Sequence, residues 1–220
     1  MDEKIKIIAL DFVNVFLVKA GEGFVLIDTG MPQHWERLEK ELVSAGCSPG
    51  NLKLVVITHG DIDHIGNCAK LQEKYKVKVA MHEADAFMAE GGVSPKRKVR
   101  TLAAKIRILF FRLFRKKITF QKFKPDILFK EERDLKEYGL DAKIINLPGH
   151  TQGSLGILTA KGDFFAGDTL TNSKKPDIAV YVDNFPELKN SIEKLKRLNI
   201  GKVYPGHGKV FLFSDLKIKA

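Results

Sequence analysis

The sequence has little cysteine: two residues, Cys47 and Cys68, in a chain of 220. So few exclude a disulfide scaffold, and both are expected to be free thiols. Long apolar runs are missing as well. No stretch approaches the ~18 consecutive apolar residues of a membrane span, so an integral membrane protein is excluded. The opening Met1-Asp2-Glu3-Lys4 leads into no basic region, long apolar stretch and small-residue cleavage site. A secretory signal is therefore not expected, and a cytoplasmic location is. There is no low-complexity linker and no repeat at a fixed period. Acidic residues are absent from one long segment: between Lys96 and Lys124 twelve basic residues stand with none. Outside it 25 basic residues face 27 acidic ones, so the formal charge of +10 belongs to that segment alone. A uniformly basic nucleic-acid binder would look different, and nucleic acid is not expected as a partner.

The remainder has an ordinary globular composition, 44% hydrophobic and 29% charged. A chain of this length buries a sizeable core, and one domain over 1–220 is expected. Apolar β-branched runs at Ile5–Ile8, Val13–Val18, Phe24–Ile27 and Leu52–Ile57 read as strands, the second and third joined by a turn at Gly21-Glu22-Gly23. Trp35, Leu38, Leu42 and Ala45 have helical spacing, closed by Gly46. Further helices are expected at Asn67–Tyr75, Glu83–Ala89 and Pro186–Leu198. Further strands are expected at Val77–Met81, Lys143–Leu147, Leu155–Thr159, Phe164–Ala166, Lys202–Tyr204 and around Lys209–Phe213. The order suggests helices flanking two packed sheets.

The chemistry concentrates at strand ends. Past the strand Leu52–Ile57 comes Thr58-His59-Gly60-Asp61-Ile62-Asp63-His64-Ile65-Gly66. Four metal-capable side chains fall within six residues there. Imidazole nitrogen with carboxylate oxygen is a mix that binds Zn, Fe or Mn. In an extended loop, 59, 61 and 63 project to one side, and His64 turns to the other as a helix begins. One loop could then serve two adjacent metals. Three more candidates lie at strand ends beside glycine: Pro148-Gly149-His150, Gly167-Asp168-Thr169 and Pro205-Gly206-His207-Gly208. Four of the six histidines sit in these places.

With Asn14 and Leu26-Ile27-Asp28-Thr29-Gly30, these stretches make the sequence resemble the metallo-β-lactamase superfamily over nearly its whole length. The resemblance implies an α+β fold, a four-layer αββα sandwich with metals in a cleft at one edge of the sheets. It implies that His59 and His150, with the residue at 61, bind one divalent ion. Asp63, His64 and His207 bind a second, Asp168 bridges the pair, and Asp28 orients the ligand loop. Zn is the first choice of metal, with Fe or Mn as alternatives. The implied function is metal-dependent hydrolysis, a metal-bound hydroxide attacking an ester, thioester, lactone or phosphodiester, with Asp63 as the catalytic residue that holds the hydroxide and shuttles its proton.

One position departs from the family pattern, which usually has His where this chain has Asp61. A carboxylate is a harder, negatively charged ligand. It leaves three readings: a di-metal site of altered metal choice, a weakened first site, or Asp61 turned away. Substrate identity does not follow. Asp168 stands where true β-lactamases commonly carry Cys, and Thr169-Leu170-Thr171 lacks the Tyr of the lactonase branch. Two rival functions remain open. One is a mononuclear iron oxidoreductase like the persulfide dioxygenases, using His59, His150 and Asp168. The other is a non-catalytic binding member.

The basic segment reads as an amphipathic helical insert at about 94–124. Val99, Leu102, Ala103, Ile106, Leu109, Phe110, Leu113 and Phe114 share one arc. It is expected to serve as a lid, with a homodimer contact, a substrate wall or a peripheral membrane contact as alternatives. Cys68 is expected to be a core thiol, His34 and His82 structural or exposed, and Lys174-Lys175 a solvated loop.

Overall fold

A computed structural model describes residues 5–92, 98–99 and 119–217. Most of the expected insert, including Leu102 to Phe114, lies outside the described residues. The chain begins with a meander, β1 (Ile5–Leu10), β2 (Val13–Ala20) and β3 (Gly23–Ile27), paired antiparallel in order. Helix α1 (Trp35–Ser44) then returns the chain to β4 (Leu52–Val56), parallel to β3. α1 buries Leu38 and Leu42, one turn apart, and ends where Gly46 takes a left-handed φ of 79°. After β4 come the short α2 (Ile62–Ile65), α3 (Cys68–Tyr75), β5 (Val79–His82), a 3-10 turn at Glu83–Asp85 and α4 (Ala86–Gly91). Then follow β6 (Lys98–Val99) and β7 (Ile127–Phe129). The first sheet has the order β1-β2-β3-β4-β5-β7.

The second sheet repeats that plan. An antiparallel meander of β8 (Ala142–Asn146), β9 (Leu155–Thr159) and β10 (Asp163–Gly167) is followed by a long connection. This carries β11 (Leu170–Thr171), β12 (Asp177–Ile178), β13 (Tyr181–Val182) and α5 (Phe185–Leu195), and delivers β14 (Lys202–Pro205) parallel to β10. β15 (Phe211–Leu212) closes the order β15-β14-β10-β9-β8. α5 is started by Asn184, whose side chain accepts from Glu187 N, and by Pro186 in its first turn.

Three apolar clusters define four layers. Between the sheets lie Phe16, Val18, Ile27, Val56, Ile144, Ile157, Phe165 and Tyr204. Phe16 sits 5.1 Å from Phe165 and 5.9 Å from Tyr204, ring to ring, joining the sheets through aromatic contacts. Outside the first sheet, α1 and α3 bury Leu38, Leu42, Cys68 and Leu71 against Leu17, Leu26, Val55 and Val79. Outside the second, α5 buries Leu188, Ile192 and Leu195 against Leu147, Phe164 and Val203. This is the expected αββα sandwich. β3 and β4 are buried on both faces, which is why they read as continuous apolar runs.

Some local readings differ. Asp63 lies in the helical turn α2, which begins at Ile62, rather than in an extended loop. Val99, placed on the helical arc, is in β6 and pairs with Tyr181. The Glu83–Ala89 helix divides into a 3-10 turn and α4. The two-residue strands of the long connection had too little pattern to be read. Among the described residues, no helix is long and apolar enough to cross a membrane.

Candidate metal centre

β4 ends at the rim of the sandwich, and the chain runs through His59 and Gly60 to Asp61. Asp61 keeps an extended backbone, and its carbonyl accepts from His64 N and Ile65 N, starting α2. That turn brings Asp63 and His64 back beside His59, so the His59 and His64 rings lie 4.0 Å apart. His64 turns where the helix begins, as expected, and its ring comes to lie against that of His59. The second sheet supplies the rest from its own strand ends, His150 after β8, Asp168 after β10 and His207 after β14. His150 stands 4.5 Å from His59, and His207 5.6 Å from His64.

Glycines make these approaches feasible. Gly149 adopts φ 140°, and a Cβ there would lie 2.4 Å from the Leu188 backbone. At Gly206 a Cβ would lie 2.7 Å from Asp168 Oδ1 and 2.8 Å from His64 Cε1. The Asn14 side chain, from the first sheet, donates to the Pro205 and Gly208 carbonyls at 3.0 and 2.8 Å and so fixes the His207 turn.

All four imidazoles are held the same way. His150 Nδ1 lies 2.7 Å from the Tyr181 carbonyl and His207 Nδ1 2.7 Å from that of Phe12. A carbonyl only accepts, so each Nδ1 is assigned the hydrogen. His64 Nδ1 donates to Asp28 Oδ2 at 2.8 Å. His59 Nδ1 lies 3.1 Å from Thr58 Oγ1. That hydroxyl donates its own hydrogen to Asp28, at 2.8 Å to Oδ2, and so can accept from His59. Asp28 is fully buried, with a left-handed φ of 62°, and also accepts from Thr58 N at 2.8 Å. It thus orients His64 directly and His59 through Thr58. In every case Nδ1 is the anchored nitrogen, and Nε2, which faces the interior of the cluster, is the one a metal could use.

The inward atoms converge. Asp61 Oδ2 lies 3.2 Å from His150 Nε2 and 3.5 Å from His59 Nε2, so Asp61 is turned toward the cluster. Asp168 Oδ1 lies 3.4 Å from His64 Nε2, and its Oδ2 3.2 Å from His207 Nε2 and 3.7 Å from His150 Nε2. Asp63 Oδ2 lies 3.4 Å from His207 Nε2. Among the described residues, three groups could hold a metal ion: His59, Asp61 and His150; His59, His64 and Asp168; Asp63, His64 and His207. In each, the donor atoms lie within 4.8 Å of one another.

Charge and burial fit a cation. His59 Nε2, His64 Nε2 and Asp168 Oδ1 are buried with no hydrogen-bond partner among the described residues. Each such atom costs about 1–3 kcal/mol when left so, and a coordinated ion would remove that cost. Burial holds the His59 imidazole below its usual pKa, helped by the neighbouring His64 and His150. Burial also opposes charge on His64, but Asp28, Asp168 and Asp63 outweigh it and raise that group well above the usual range. The same contest pushes His207 up to about 9, through Asp168 and Asp63. Burial would raise the Asp168 carboxyl, yet His207 and His64 hold it well below the usual range. The carboxylates thus demand positive charge at this spot, and protons compete for the nitrogens a metal would use.

A sequence model of the metallo-beta-lactamase superfamily matches residues 8–207. The chain belongs to that superfamily. Among its relatives, a probable metallo-hydrolase of Methanocaldococcus jannaschii is 28% identical over 201 residues, covering 90% of this chain and 88% of that protein. The hydroxyacylglutathione hydrolase GloC of Haemophilus influenzae is 32% identical over 123 residues, covering 54% of this chain and 50% of that one. The solved structure of TTHA1623 in a di-iron-bound form superposes with a TM-score of 0.70 at 23% identity, covering 96% of this chain and 95% of that one. The metallo-beta-lactamase fold expected from the motifs is the fold observed. Members of the superfamily bind divalent metals, and this chain carries candidate ligands for them.

The other histidines are placed elsewhere. His34 is buried with Nε2 2.9 Å from Asp11 Oδ2, and His82 Nδ1 accepts from Ala84 N at 3.2 Å. Cys68 is a core thiol against Thr29. Lys174 and Lys175 are exposed. Several contributors had no sequence signal. Phe12 and Tyr181 act through their carbonyls, which any residue supplies. Thr58 was visible only as the neighbour of His59, and Asp85, described below, sat in a segment with no motif.

Proposed function

We propose that the chain is a hydrolase that works with two divalent cations on a small ester-like substrate, a thioester first. The observation that carries this is the uniform presentation of four imidazoles, each anchored at Nδ1 and aimed inward at Nε2 among three carboxylates. His59, Asp61 and His150 would hold the first ion, and Asp63, His64 and His207 the second, with Asp168 between them. When bound, such ions supply Lewis acidity and lower the pKa of water from 15.7 to about 7. The chain's own residues orient the rest. Asp63 Oδ2 faces His207, leaving Oδ1 to position the attacking water and take up its proton. Phe12, exposed and stacked on His207 with ring centroids 5.9 Å apart, gives an apolar surface beside the cluster. The orientation of Asp61 supports a ligand role, and its hard oxygen supports Fe or Mn over Zn in the first position. The relative named hydroxyacylglutathione hydrolase supports the thioester choice.

The test is metal analysis of protein purified without added metal, followed by assays on thioester, lactone and phosphodiester probes. About two ions per chain are expected, with hydrolysis that stops on chelation and returns on re-addition. A single Fe with thiol-dependent oxygen uptake would establish the mononuclear oxidoreductase instead. Protein that takes up no metal would leave only a binding role.

A further inference from the structure

Asp85 stands at the position that caps the start of α4, but makes no side-chain bond to that helix. Its carboxylate is 1% exposed and reaches into the rim instead. Oδ2 accepts from Gly60 N at 2.8 Å and from Thr151 Oγ1 at 2.8 Å. Oδ1 accepts from Gly153 N at 2.9 Å. Gly60 lies between His59 and Asp61, and Thr151 directly follows His150. One buried carboxylate therefore ties the loop of His59 and Asp61 to the loop of His150, through residues adjacent to the three members of a single donor group. The approach is built in, since a Cβ on Gly153 would lie 2.6 Å from Asp85 Cγ.

We infer that Asp85 is a positioning residue for the first metal site, a latch that sets the separation of the His59–Asp61 loop from the His150 loop. This rests on the two-ion reading above. No donor of the second group is bonded to Asp85 or adjacent to a residue that is. Loss of the latch should therefore weaken one ion and spare the other, which a general structural role would not do. The effect should be graded. In Asp85→Asn the amide oxygen can still accept from Gly60 and Thr151, but the NH2 then faces Gly153 N–H. In Asp85→Ala all three donors are orphaned.

The experiment is titration of the metal-free protein with Co2+, followed by its visible absorption bands. A His207→Ala control identifies the phase that belongs to the second site. The expected result is a first-site affinity about 10–100-fold weaker in Asp85→Ala, intermediate in Asp85→Asn, and a second-site phase unchanged in both. If Asp85→Ala does not fold, Thr151→Val, which removes one donor, should weaken the same phase in the same direction. Two phases in the wild type with both unchanged in the variants, or both weakened equally, would overturn the latch alone. A wild type that takes up no Co2+ would overturn the metal-centre reading and the latch with it.

Discussion

Replacing Asp28 by Asn should weaken metal binding without unfolding the protein. The backbone at this position has φ 62°, a region that Asp and Asn both tolerate, so the substitution adds no strain. What changes is hydrogen-bond polarity. The carboxylate accepts from Thr58 N, Thr58 Oγ1 and His64 Nδ1. An amide has one oxygen to offer. If that oxygen serves His64, the NH2 meets Thr58 N–H, and Thr58 no longer holds His59. If it serves Thr58, the NH2 donates to His64 Nδ1 and drives the imidazole hydrogen onto Nε2, where the ligand lone pair belongs. Each charge-assisted bond of this kind is worth about 1.5–3 kcal/mol. Losing one, with the accompanying misorientation of a ligand, predicts a 10–100-fold drop in metal affinity, or about 1.4–2.8 kcal/mol. Chelator competition on the metal-free protein measures it, with circular dichroism to show that the fold persists. A folded variant whose affinities match the wild type would refute the argument that Asp28 sets the tautomers.

Asp168→Ala should abolish metal-dependent turnover and lower metal content, and a mutant with wild-type content and rate would remove Asp168 from the site. Asp61→His should raise the ratio of Zn to Mn bound from an equimolar mixture, because nitrogen replaces a hard oxygen; an unchanged ratio would mean that Asp61 does not ligate. Phe165→Ala should cost about 3–5 kcal/mol in urea unfolding by opening a cavity between the sheets, and a loss under about 1 kcal/mol would contradict the packing described. Burial pushes the Cys47 thiol up to about 11 from 9.0. The folded protein therefore holds that proton more tightly than the unfolded chain. The resulting stability is intact below about pH 9 and is lost as the pH rises through about 11. Cys47→Ala should flatten the alkaline fall of the urea midpoint, and parallel slopes in the two proteins would exclude this origin.

Much of the fold was legible because burial forces simple patterns. β3 and β4 are covered on both faces and so run apolar without interruption, whereas α1 shows Leu38 and Leu42 at helical spacing. The two-residue strands β11, β12 and β13 left no trace, since two residues carry no period. At the centre, His59, His64, His150 and His207 stood out because imidazoles beside glycines at strand ends are chemically conspicuous. Their supports did not. Phe12 and Tyr181 contribute carbonyls, which every residue has. Asp85 sat at a helix start, where an aspartate is unremarkable, and only the three-dimensional path of its carboxylate reveals a different task.

The donors come in two parties, one carried by each sheet, and the surfaces between those sheets are held by Phe16, Phe165 and Tyr204. Tyr204 and Phe165 each lie only three residues before a donor, His207 and Asp168. The bite of any chelate formed there would therefore be fixed by hydrocarbon packing beneath it. Heat, pressure or a distant cavity that lets one half slide on the other would release ions while secondary structure still persists. Metal leakage from the loaded protein would then be the first symptom of a softening interior.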